Sequence, residues 1–465
     1  MSKASIEQLN EILGKDQVIT DPDSLEQYGQ DWSKLFTPNA MAVLRPNSIE
    51  QVQDIIRWAK EHKVAIVPSG GRTGLSGGAY ATQGEVVLSL DRMNQIQSFN
   101  AVDQTVVCGA GVITEQLQNF AEENDLYYPV DFASTGSSQI GGNIATNAGG
   151  IKVIRWGMTR DWVAGLKVVT GNGDLLDLNQ GLVKNATGYD FRHLMIGSEG
   201  TLGIIVEATM KLTRKPKELT VMVLGLNTLK DVYPVMEQFQ KSLSLTAFEF
   251  FSEQALQHVL SHHDLQRPFD SESDFYVLIE FENDSEATTD LAFGAFEKVM
   301  EQGLIVDGVI SQSETQAEQL WGLRERISES ISVRTPYKND ISVVPSKVAD
   351  FLSAVDGIVK EKYPSFEIIW FGHIGDGNLH LNILKPEDLA VDEFVAQCKQ
   401  VNPLIFDAIQ SLGGSISAEH GVGLVKKDYL PYSRSEIEIT LMKQIKKAFD
   451  PAGILNPGKL IDCSE

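Results

Sequence analysis

Two glycine-rich loops constrain this chain more than any other feature of its sequence. The first, PSGGRTGLSGG (68–78), follows the apolar run VAIV and holds five glycines in eleven residues. A dinucleotide-binding loop of the Rossmann type must open a helix, whereas AYATQGEVVLSL leads from this loop to another strand. The loop also lacks the Gly-Lys-Ser or Gly-Lys-Thr ending of a P-loop. Its backbone N–H groups are therefore left to bind an anionic cofactor as a nest, with a plain surface loop as the alternative.

The second loop, STGSSQIGGNIATNAGG (134–150), supplies small hydroxyl and amide side chains and carries no charge. Such a lining can approach a flat heterocycle and a pyrophosphate closely while offering many hydrogen-bond donors. Two loops of this kind in one domain predict a large dinucleotide cofactor.

Length and the order of apolar runs predict an α+β protein of two to three domains. The chain has 465 residues, too many for one ordinary core of roughly 150 residues. The polar run TRKPKEL (213–219) marks a boundary. We predict an N-terminal helix and cofactor domain over 1–215 (core about 35–215) and a substrate- and metal-binding α+β domain with an antiparallel sheet over 216–434. A C-terminal helix and tail occupy 435–465.

Three local patterns predict individual elements. The first twenty residues read as one amphipathic helix. Ser48 with Gln51 predicts a capping box at the start of the next long helix. The run KVVTGNGDLLDL (167–178) predicts a β-hairpin with a Gly-Asn-Gly-Asp turn.

Composition excludes several classes of protein. A formal charge of −24 disfavours nucleic-acid binding, because a phosphate backbone would be repelled. No apolar run approaches the roughly 18 residues of a membrane-spanning helix, and the polar N-terminus does not resemble a signal peptide. The three cysteines, Cys108, Cys398 and Cys463, form no disulfide or thiolate-metal pattern, which favours a cytoplasmic location.

Two histidines bracket a tight turn in FGHIGDGNLHLNI (371–383). The run predicts strand–turn–strand, so His373 and His380 can face each other, and alternation places Asn382 on the side of His380. This arrangement suits a metal site, and the alternative is a pair of structural histidines beside a turn.

A carboxylate ligand must come from another part of the chain. SISAEHGVG (415–423) offers Glu419, followed directly by His420, between small residues. Imidazole and carboxylate together suit a divalent metal of the Zn²⁺ type. Asp376 is a rival ligand, although a Gly-Asp-Gly-Asn sequence more naturally uses it to shape the turn.

Four motifs together resemble the flavin-binding domain of the vanillyl-alcohol oxidase/PCMH flavoprotein superfamily. They are the two glycine loops, GSEGTLGII (197–205) and NPGKL (456–460). The resemblance implies a PCMH-type domain of two α/β subdomains that binds FAD. The residues it assigns to FAD are Ser69, Gly70, Gly71, Arg72, Thr73, Gly74, Gly77, Gly78, Thr135, Gly136, Ser138, Gly141, Gly142, Asn143, Thr146, Glu199, Gly203, Ile204 and Asn456. Some members tether the flavin through a histidine in the first loop. This chain has Arg72 and Thr73 there, so we expect noncovalent FAD.

The downstream half is similar to the D-2-hydroxyacid dehydrogenase branch of that superfamily. The resemblance implies that His373, His380 and Glu419 are metal ligands and that His420 is the catalytic acid/base, in contact with the substrate. Ligand types favour Zn²⁺.

The segment WGLRERISESISVRTPYKNDISV (321–343) places the resemblance closest to the D-2-hydroxyglutarate dehydrogenases. Arg324 and Ser328, four residues apart, are expected to share a helix face, and Lys338 follows a proline. A dicarboxylate needs such cations at its far end, whereas lactate does not. Asn382 would orient the near end. Taken alone, Arg324 is more typical of a solvated helix face, because Glu325, Arg326 and Glu329 are also charged.

These resemblances imply an enzyme that oxidises D-2-hydroxyglutarate to 2-oxoglutarate. The metal lowers the pKa of the substrate hydroxyl, His420 accepts its proton, and hydride passes from C2 to flavin N5. An electron-transfer flavoprotein or similar acceptor then takes the electrons. The sequence leaves open whether the chain forms a homodimer. The alternatives are a D-lactate or glycolate dehydrogenase with the same chemistry, a flavin-free metal hydrolase, and a catalytically silent flavin-binding scaffold.

Overall fold

The computed structural model describes residues 3–463 and divides them into two compact units. Unit 1 contains the described residues up to Gly149, Met158–Lys215, and the described residues from Glu419 onward. Unit 2 contains Gly150–Gly157 and Pro216–Ala418.

The units differ from the sequence-based division in two places. One boundary lies between residues 215 and 216, as in that division, but Gly150–Gly157 belongs to unit 2. Lys152 explains this membership, because its ammonium pairs with the buried carboxylate of Glu280 and lies 4.9 Å from the centre of the Trp321 ring. Unit 2 ends at Ala418 rather than at residue 434.

The secondary-structure elements are numbered in chain order. The strands are β1 (Val18–Ile19), β2 (Ala42–Leu44), β3 (Ile66–Ser69), β4 (Val86–Ser89), β5 (Ile96–Asn100), β6 (Thr105–Gly109), β7 (Val163–Val169), β8 (Leu175–Leu178), β9 (Ile204–Lys211), β10 (Leu219–Leu226), β11 (Leu245–Ser252), β12 (Phe275–Glu282), β13 (Asp307–Ile310), β14 (Pro336–Ser342), β15 (Glu367–Gly372) and β16 (Asn378–Leu384). The α-helices are α1 (Lys3–Leu13), α2 (Pro22–Tyr28), α3 (Ile49–His62), α4 (Thr114–Glu123), α5 (Ile140–Thr146), α6 (Val153–Trp156), α7 (Thr159–Trp162), α8 (Arg192–Met195), α9 (Val232–Gln240), α10 (Glu253–His262), α11 (Glu286–Glu301), α12 (Glu314–Glu325), α13 (Ile327–Ser332), α14 (Val348–Lys362), α15 (Val391–Ser411) and α16 (Glu436–Phe449). Short 3₁₀ helices lie at Lys15–Gln17, Leu229–Asp231, Pro345–Lys347 and Lys427–Tyr432.

Unit 1 is built on two sheets. The first has the order β1-β2-β4-β3, with β2, β4 and β3 parallel, and the second has the antiparallel order β5-β6-β9-β7-β8. Apolar residues of both sheets pack with α3 and α4 in one buried core. The predicted 167–178 hairpin is present, since Val169 pairs with Leu175 across its turn.

Local sequence explains where the first helices begin and end. The Ser48 hydroxyl accepts the Gln51 N–H at 3.3 Å at the start of α3, and the Gln51 side chain accepts from Asn47. The expectation of one helix over the first twenty residues is wrong. Within the described part, α1 ends at Leu13, because Gly14 adopts a φ of +88° that ends a helix, and β1 follows. Residues 1–2 lie outside the described range.

Unit 2 is built on one antiparallel sheet in the order β13-β10-β12-β11-β15-β16-β14. Its apolar residues pack against α10, α12 and α13, which confirms the predicted antiparallel α+β architecture. The β15–β16 hairpin is the predicted strand–turn–strand. Its turn needs a glycine at Gly377, where φ is +85° and a Cβ atom would lie 1.9 Å from the Val343 carbonyl oxygen.

No helix within residues 3–463 combines the length and the apolar character required to cross a bilayer.

Candidate active site

The first glycine loop connects two parallel strands, β3 and β4, without an intervening helix. Ser69 ends β3, and the predicted residues Gly70 to Gly78 form the connection. A Cβ atom at Gly71 would lie 2.2 Å from the carbonyl oxygen of Ser137, so the two glycine loops touch at a point where only glycine fits. This is the strand–loop–strand context expected of a nest rather than of a Rossmann loop.

Hydrogen bonds of its side chains, among themselves and to Thr114 and Asp131, hold the second glycine loop in place. Thr114 accepts a hydrogen bond from Asn143 Nδ2 at 2.7 Å, and its hydroxyl lies 2.7 Å from that of Ser138. The Thr135 hydroxyl bonds to Asp131, and that of Thr146 donates to the Gly142 carbonyl. Four side chains predicted to line the FAD site therefore make hydrogen bonds within the protein: those of Thr135, Ser138, Asn143 and Thr146. Gly136 precedes α5, while Gly141 and Gly142 lie on it.

In and beside the glycine loops there are buried polar atoms without hydrogen-bond partners, and there is free space that a cofactor needs. Ser69 Oγ, Gln139 Oε1 and Asn456 Oδ1 are buried and have no hydrogen-bond partner within the described residues. A Cβ atom at Gly142 would meet nothing within 4 Å. Buried polar atoms are rarely left unpaired, so these groups fit a ligand with many polar atoms, such as FAD.

Arg72 has a side chain fixed by three neighbours. Its guanidinium donates to the Gly70 carbonyl at 2.9 Å, lies 4.4 Å from the centre of the Tyr28 ring, and approaches Asp91 to 3.6 Å. Asp91 also accepts hydrogen bonds from Tyr28 and Gln139. A cavity of about 320 Å³ adjoins Arg72 and Asp91. The Arg72 side chain thus anchors the first loop.

Glu199 and Asn456 tie together distant segments of unit 1. The Glu199 carboxylate accepts the N–H groups of Val422 and Gly423, at 2.7 and 2.8 Å. Asn456 Nδ2 donates to the carbonyls of Gly78 and Glu199. Burial raises the pKa of Glu199, and this effect outweighs the two N–H donors. Gly203 and Ile204, also predicted for FAD, lie directly at the start of β9.

Glu419 and His420 are the first two residues of the last segment of unit 1. Glu419 Oε1 lies 3.5 Å from His420 Nε2, and both side chains are partly buried. Ser76 of the first glycine loop donates to the Gly421 carbonyl at 3.0 Å and accepts from the Leu424 N–H. The glycine loop and Glu199 therefore fix the residues that follow His420.

In unit 2, strand register gathers the predicted site residues on one face of the sheet. His380 of β16 lies opposite Asp340 of β14 and Phe371 of β15, and Asn382 lies opposite Lys338. Directly opposed and alternate residues share a face in an antiparallel sheet. The rings of His373 and His380 meet edge to face, with centres 5.4 Å apart. The prediction that these histidines face each other is therefore confirmed.

The buried carboxylate of Glu249 holds His373. Its two oxygens lie 2.8 and 2.9 Å from His373 Nδ1. Burial alone would raise the pKa of Glu249, but His373 and Arg324 outweigh it and lower that pKa. A negative acceptor at Nδ1 favours the tautomer that carries its proton there, which is the tautomer in which Nε2 has a lone pair.

Asp340 is the corresponding carboxylate beside His380. Its Oδ1 lies 3.9 Å from His380 Nδ1 and accepts from Asn378, while its Oδ2 accepts the Ala418 N–H at 3.1 Å. Asp376 shapes the turn as predicted, by accepting the Asn378 N–H at 3.0 Å.

Arg324 is buried, not solvated. Its Nη2 lies 2.7 Å from a Glu249 oxygen, and its guanidinium lies 4.8 Å from the centre of the Phe371 ring. Nη2 is therefore ion-paired with Glu249, whereas Nε has no hydrogen-bond partner within the described residues. A buried guanidinium with a donor left over suits a carboxylate.

Ser328 and Lys338 are both exposed. The prediction that Arg324 and Ser328 share one helix face is wrong, because α12 ends at Glu325 and α13 begins at Ile327. Lys338 reaches solvent, while the surrounding protein lowers its pKa through partial desolvation.

Sequence reasoning missed Glu249 and Asp340. A sequence signal exists for Glu249, because it is an acid within the otherwise apolar run LTAFEFFS of β11. A buried carboxylate must be paired, so an acid in such a run indicates a cationic partner. Asp340 has no comparable signal in PYKNDIS, which is polar throughout its first half.

Comparison with known proteins agrees with the fold. Residues 40–179 match the family described as "FAD binding domain", and residues 215–460 match "FAD linked oxidases, C-terminal domain". The chain is 60% identical over 457 residues to D-2-hydroxyglutarate dehydrogenase of Stutzerimonas stutzeri (strain A1501), covering 98% of each chain. It is 56% identical to the enzyme of that name from Xanthomonas citri pv. viticola, covering 95% of this chain and 94% of the other.

The solved structures similar to this chain support the fold alone. The structure of p-cresol methylhydroxylase with substrate bound has a TM-score of 0.76 at 16% identity, covering 99% of this chain and 96% of the other. The predicted resemblance to the PCMH-type flavoproteins is confirmed. The chain belongs to the FAD-linked oxidase family and, within it, to the group that contains the D-2-hydroxyglutarate dehydrogenases.

Proposed function

We propose that this protein is an FAD- and metal-dependent dehydrogenase that oxidises D-2-hydroxyglutarate to 2-oxoglutarate. The observation that carries the choice of substrate is buried Arg324, which lies beside the histidine-bearing face of the sheet and whose Nε has no hydrogen-bond partner within the described residues. A monocarboxylate bound at the metal would leave this donor without an acceptor, whereas a dicarboxylate supplies one. The names of the similar dehydrogenases point to the same substrate.

FAD would be held noncovalently by the two glycine loops of unit 1. Ser69, Gln139 and Asn456 supply buried oxygens that lack partners, and Gly142 leaves room for close approach. FAD supplies a two-electron acceptor for the hydride that leaves C2 of the substrate. The protein contributes a rigid cradle, because Asn143 and Thr114 brace the second loop.

A divalent metal, Zn²⁺ by its ligand types, would be held by His373, His380 and Glu419. Glu249 and Asp340 stand behind the two histidines, as carboxylates commonly do behind metal-bound imidazoles. Glu419 is peptide-bonded to Ala418, whose N–H donates to Asp340, and this continuity supports its inclusion. The metal supplies a Lewis acid that lowers the pKa of the substrate hydroxyl.

The remaining residues would bind and deprotonate the substrate. Arg324, Ser328 and Lys338 bind the far carboxylate, with Arg324 contributing its guanidinium and Lys338 a mobile charge. Asn382 orients the near end. His420 accepts the hydroxyl proton at one ring nitrogen, a task that suits an imidazole.

The electrons would leave for an electron-transfer flavoprotein or a similar acceptor, and we place the enzyme in the cytoplasm. A net charge of −24 gives a basic surface on a partner an electrostatic advantage. Oxidation of D-lactate or glycolate by the same chemistry is the second candidate function.

Anaerobic titration of the FAD-loaded protein with D- and L-2-hydroxyacids tests the proposal. Substoichiometric D-2-hydroxyglutarate should bleach the flavin absorbance near 450 nm in proportion to the amount added, roughly one equivalent per flavin. D-lactate should react more slowly, and L-2-hydroxyglutarate should not react. Removal of metal with a chelator should stop bleaching, and added Zn²⁺ should restore it. Faster bleaching by D-lactate would identify the second function instead, and a protein that binds no FAD would reject both.

A further inference from the structure

We propose that Glu249 is a positioning residue that links the metal ligand His373 to the carboxylate-binding Arg324. This inference rests on the proposed function and deepens it, because it concerns how the two ends of the substrate site are held in register.

The contacts of Glu249 are to these two groups and not to solvent. The side chain is 1% exposed, its oxygens lie 2.8 and 2.9 Å from His373 Nδ1, and Oε2 lies 2.7 Å from Arg324 Nη2. His373 lies directly after β15, and Arg324 lies on α12, so Glu249 of β11 contacts residues of two other parts of unit 2. One carboxylate thus sets the ring orientation of His373 and the position of the guanidinium.

Strand register explains why Glu249 can make both contacts. Phe251 of β11 lies opposite Phe371 of β15, so Glu249, two residues earlier, emerges on the same face of the sheet as Phe371. Arg324 stacks on Phe371. The negative charge therefore lies where the imidazole and the guanidinium approach each other, and it separates two groups that would otherwise repel when both are positive.

The competing explanation is that Glu249 serves stability alone, as buried carboxylates often do. Unit 2 contains a matched example in Glu280 of β12, which is 3% exposed and emerges on the same sheet face. Glu280 bonds to Lys152, Thr246 and Trp321. Comparison of the two carboxylates therefore distinguishes positioning from general packing.

The test measures Zn²⁺ affinity, flavin content and steady-state kinetics for Glu249→Gln, Glu249→Asp and Glu280→Gln. Zn²⁺ affinity is read by competition with a chromogenic chelator, which does not require turnover. Glu249→Gln should weaken Zn²⁺ binding about 10- to 100-fold. It should also raise KM for D-2-hydroxyglutarate, because the guanidinium loses its anchor, and leave flavin content at the wild-type level. Glu249→Asp, which keeps the charge, should recover part of both losses.

Glu280→Gln should lower the melting temperature and leave Zn²⁺ affinity unchanged. Wild-type Zn²⁺ affinity in folded Glu249→Gln would overturn the proposal, as would equal weakening in Glu280→Gln. Should Glu249→Gln fail to fold, Glu249→Asp decides by the same comparison, and weakened Zn²⁺ binding with intact flavin content supports the proposal. The Zn²⁺ measurement is independent of the substrate, so failure of the proposed function would appear separately, as absent flavin bleaching in the wild type.

Discussion

Oε1 of Glu199 accepts a hydrogen bond from the backbone N–H of Val422 at 2.7 Å, across 223 positions of sequence. Oε2 accepts from the next residue, Gly423, at 2.8 Å. Glu199 belongs to the GSEGTLGII motif, and Val422 follows the Glu419–His420 pair by two residues. The motif thus fixes the backbone that carries the proposed base.

Replacement of Glu199 by Ala should destabilise unit 1 and slow flavin reduction. Each buried N–H left without an acceptor costs about 1–3 kcal/mol. Denaturant unfolding measures the first effect, and stopped-flow bleaching by substrate measures the second. Glu207→Ala is the control, because Glu207 is also a buried carboxylate of unit 1 but pairs with Lys167. Equal slowing in both variants would contradict a role for Glu199 in holding this loop.

The titration of Glu199 should make stability depend on pH. Burial raises the pKa of Glu199 above the ordinary 4.5. At a pH between 4.5 and the higher pKa of the folded state, Glu199 therefore holds a proton in the folded chain that it has released in the unfolded chain. The stabilisation is fully present below 4.5 and is lost as pH rises through the folded pKa. As pH rises through this window, the unfolding free energy of the wild type should therefore fall relative to that of Glu199→Gln. A difference that stays constant with pH would contradict the raised pKa.

Replacement of His420 by Ala should separate flavin binding from flavin reduction. Loss of a general base slows the chemical step by about 10²- to 10⁴-fold. Anaerobic bleaching by D-2-hydroxyglutarate measures the rate, and the absorbance spectrum measures retained FAD. His193→Ala, an exposed imidazole of unit 1, is the control. Normal bleaching in His420→Ala would remove this residue from the mechanism.

Replacement of Lys338 by Met should discriminate between substrates. Loss of a charge-assisted hydrogen bond of about 1.5–3 kcal/mol should lower kcat/KM for D-2-hydroxyglutarate roughly 10- to 100-fold. Activity towards D-lactate should not change, because it has no second carboxylate. Lys360→Met removes an exposed lysine of α14 and serves as the control. Equal losses of kcat/KM for both substrates would show that Lys338 does not bind the far carboxylate.

Sequence alone predicts the parts of this site that are local. His373, Asp376 and His380 lie within one hairpin, so period-two alternation and turn chemistry were sufficient to place them. The glycine loops are equally local, since their context is decided by whether a helix or a strand follows.

The carboxylates behind the histidines could not be placed from sequence. Glu249 is 124 positions from His373, and their contact depends on the register between β11 and β15. Asp340 depends in the same way on the register between β14 and β16. The spacing of Arg324 and Ser328 was misleading, because the helix is interrupted at Arg326 between them.

Unit 1 is completed by residues that are translated after unit 2. The Ile66 N–H of β3 donates to the Ile454 carbonyl at 2.7 Å, and the Asn456 N–H donates to the Ile66 carbonyl at 2.8 Å. The ribosome makes Pro216–Ala418 before it reaches these partners, so the edge of the nucleotide-binding sheet stays open throughout that interval. Completion of this edge must therefore await synthesis of Ile454 and Asn456.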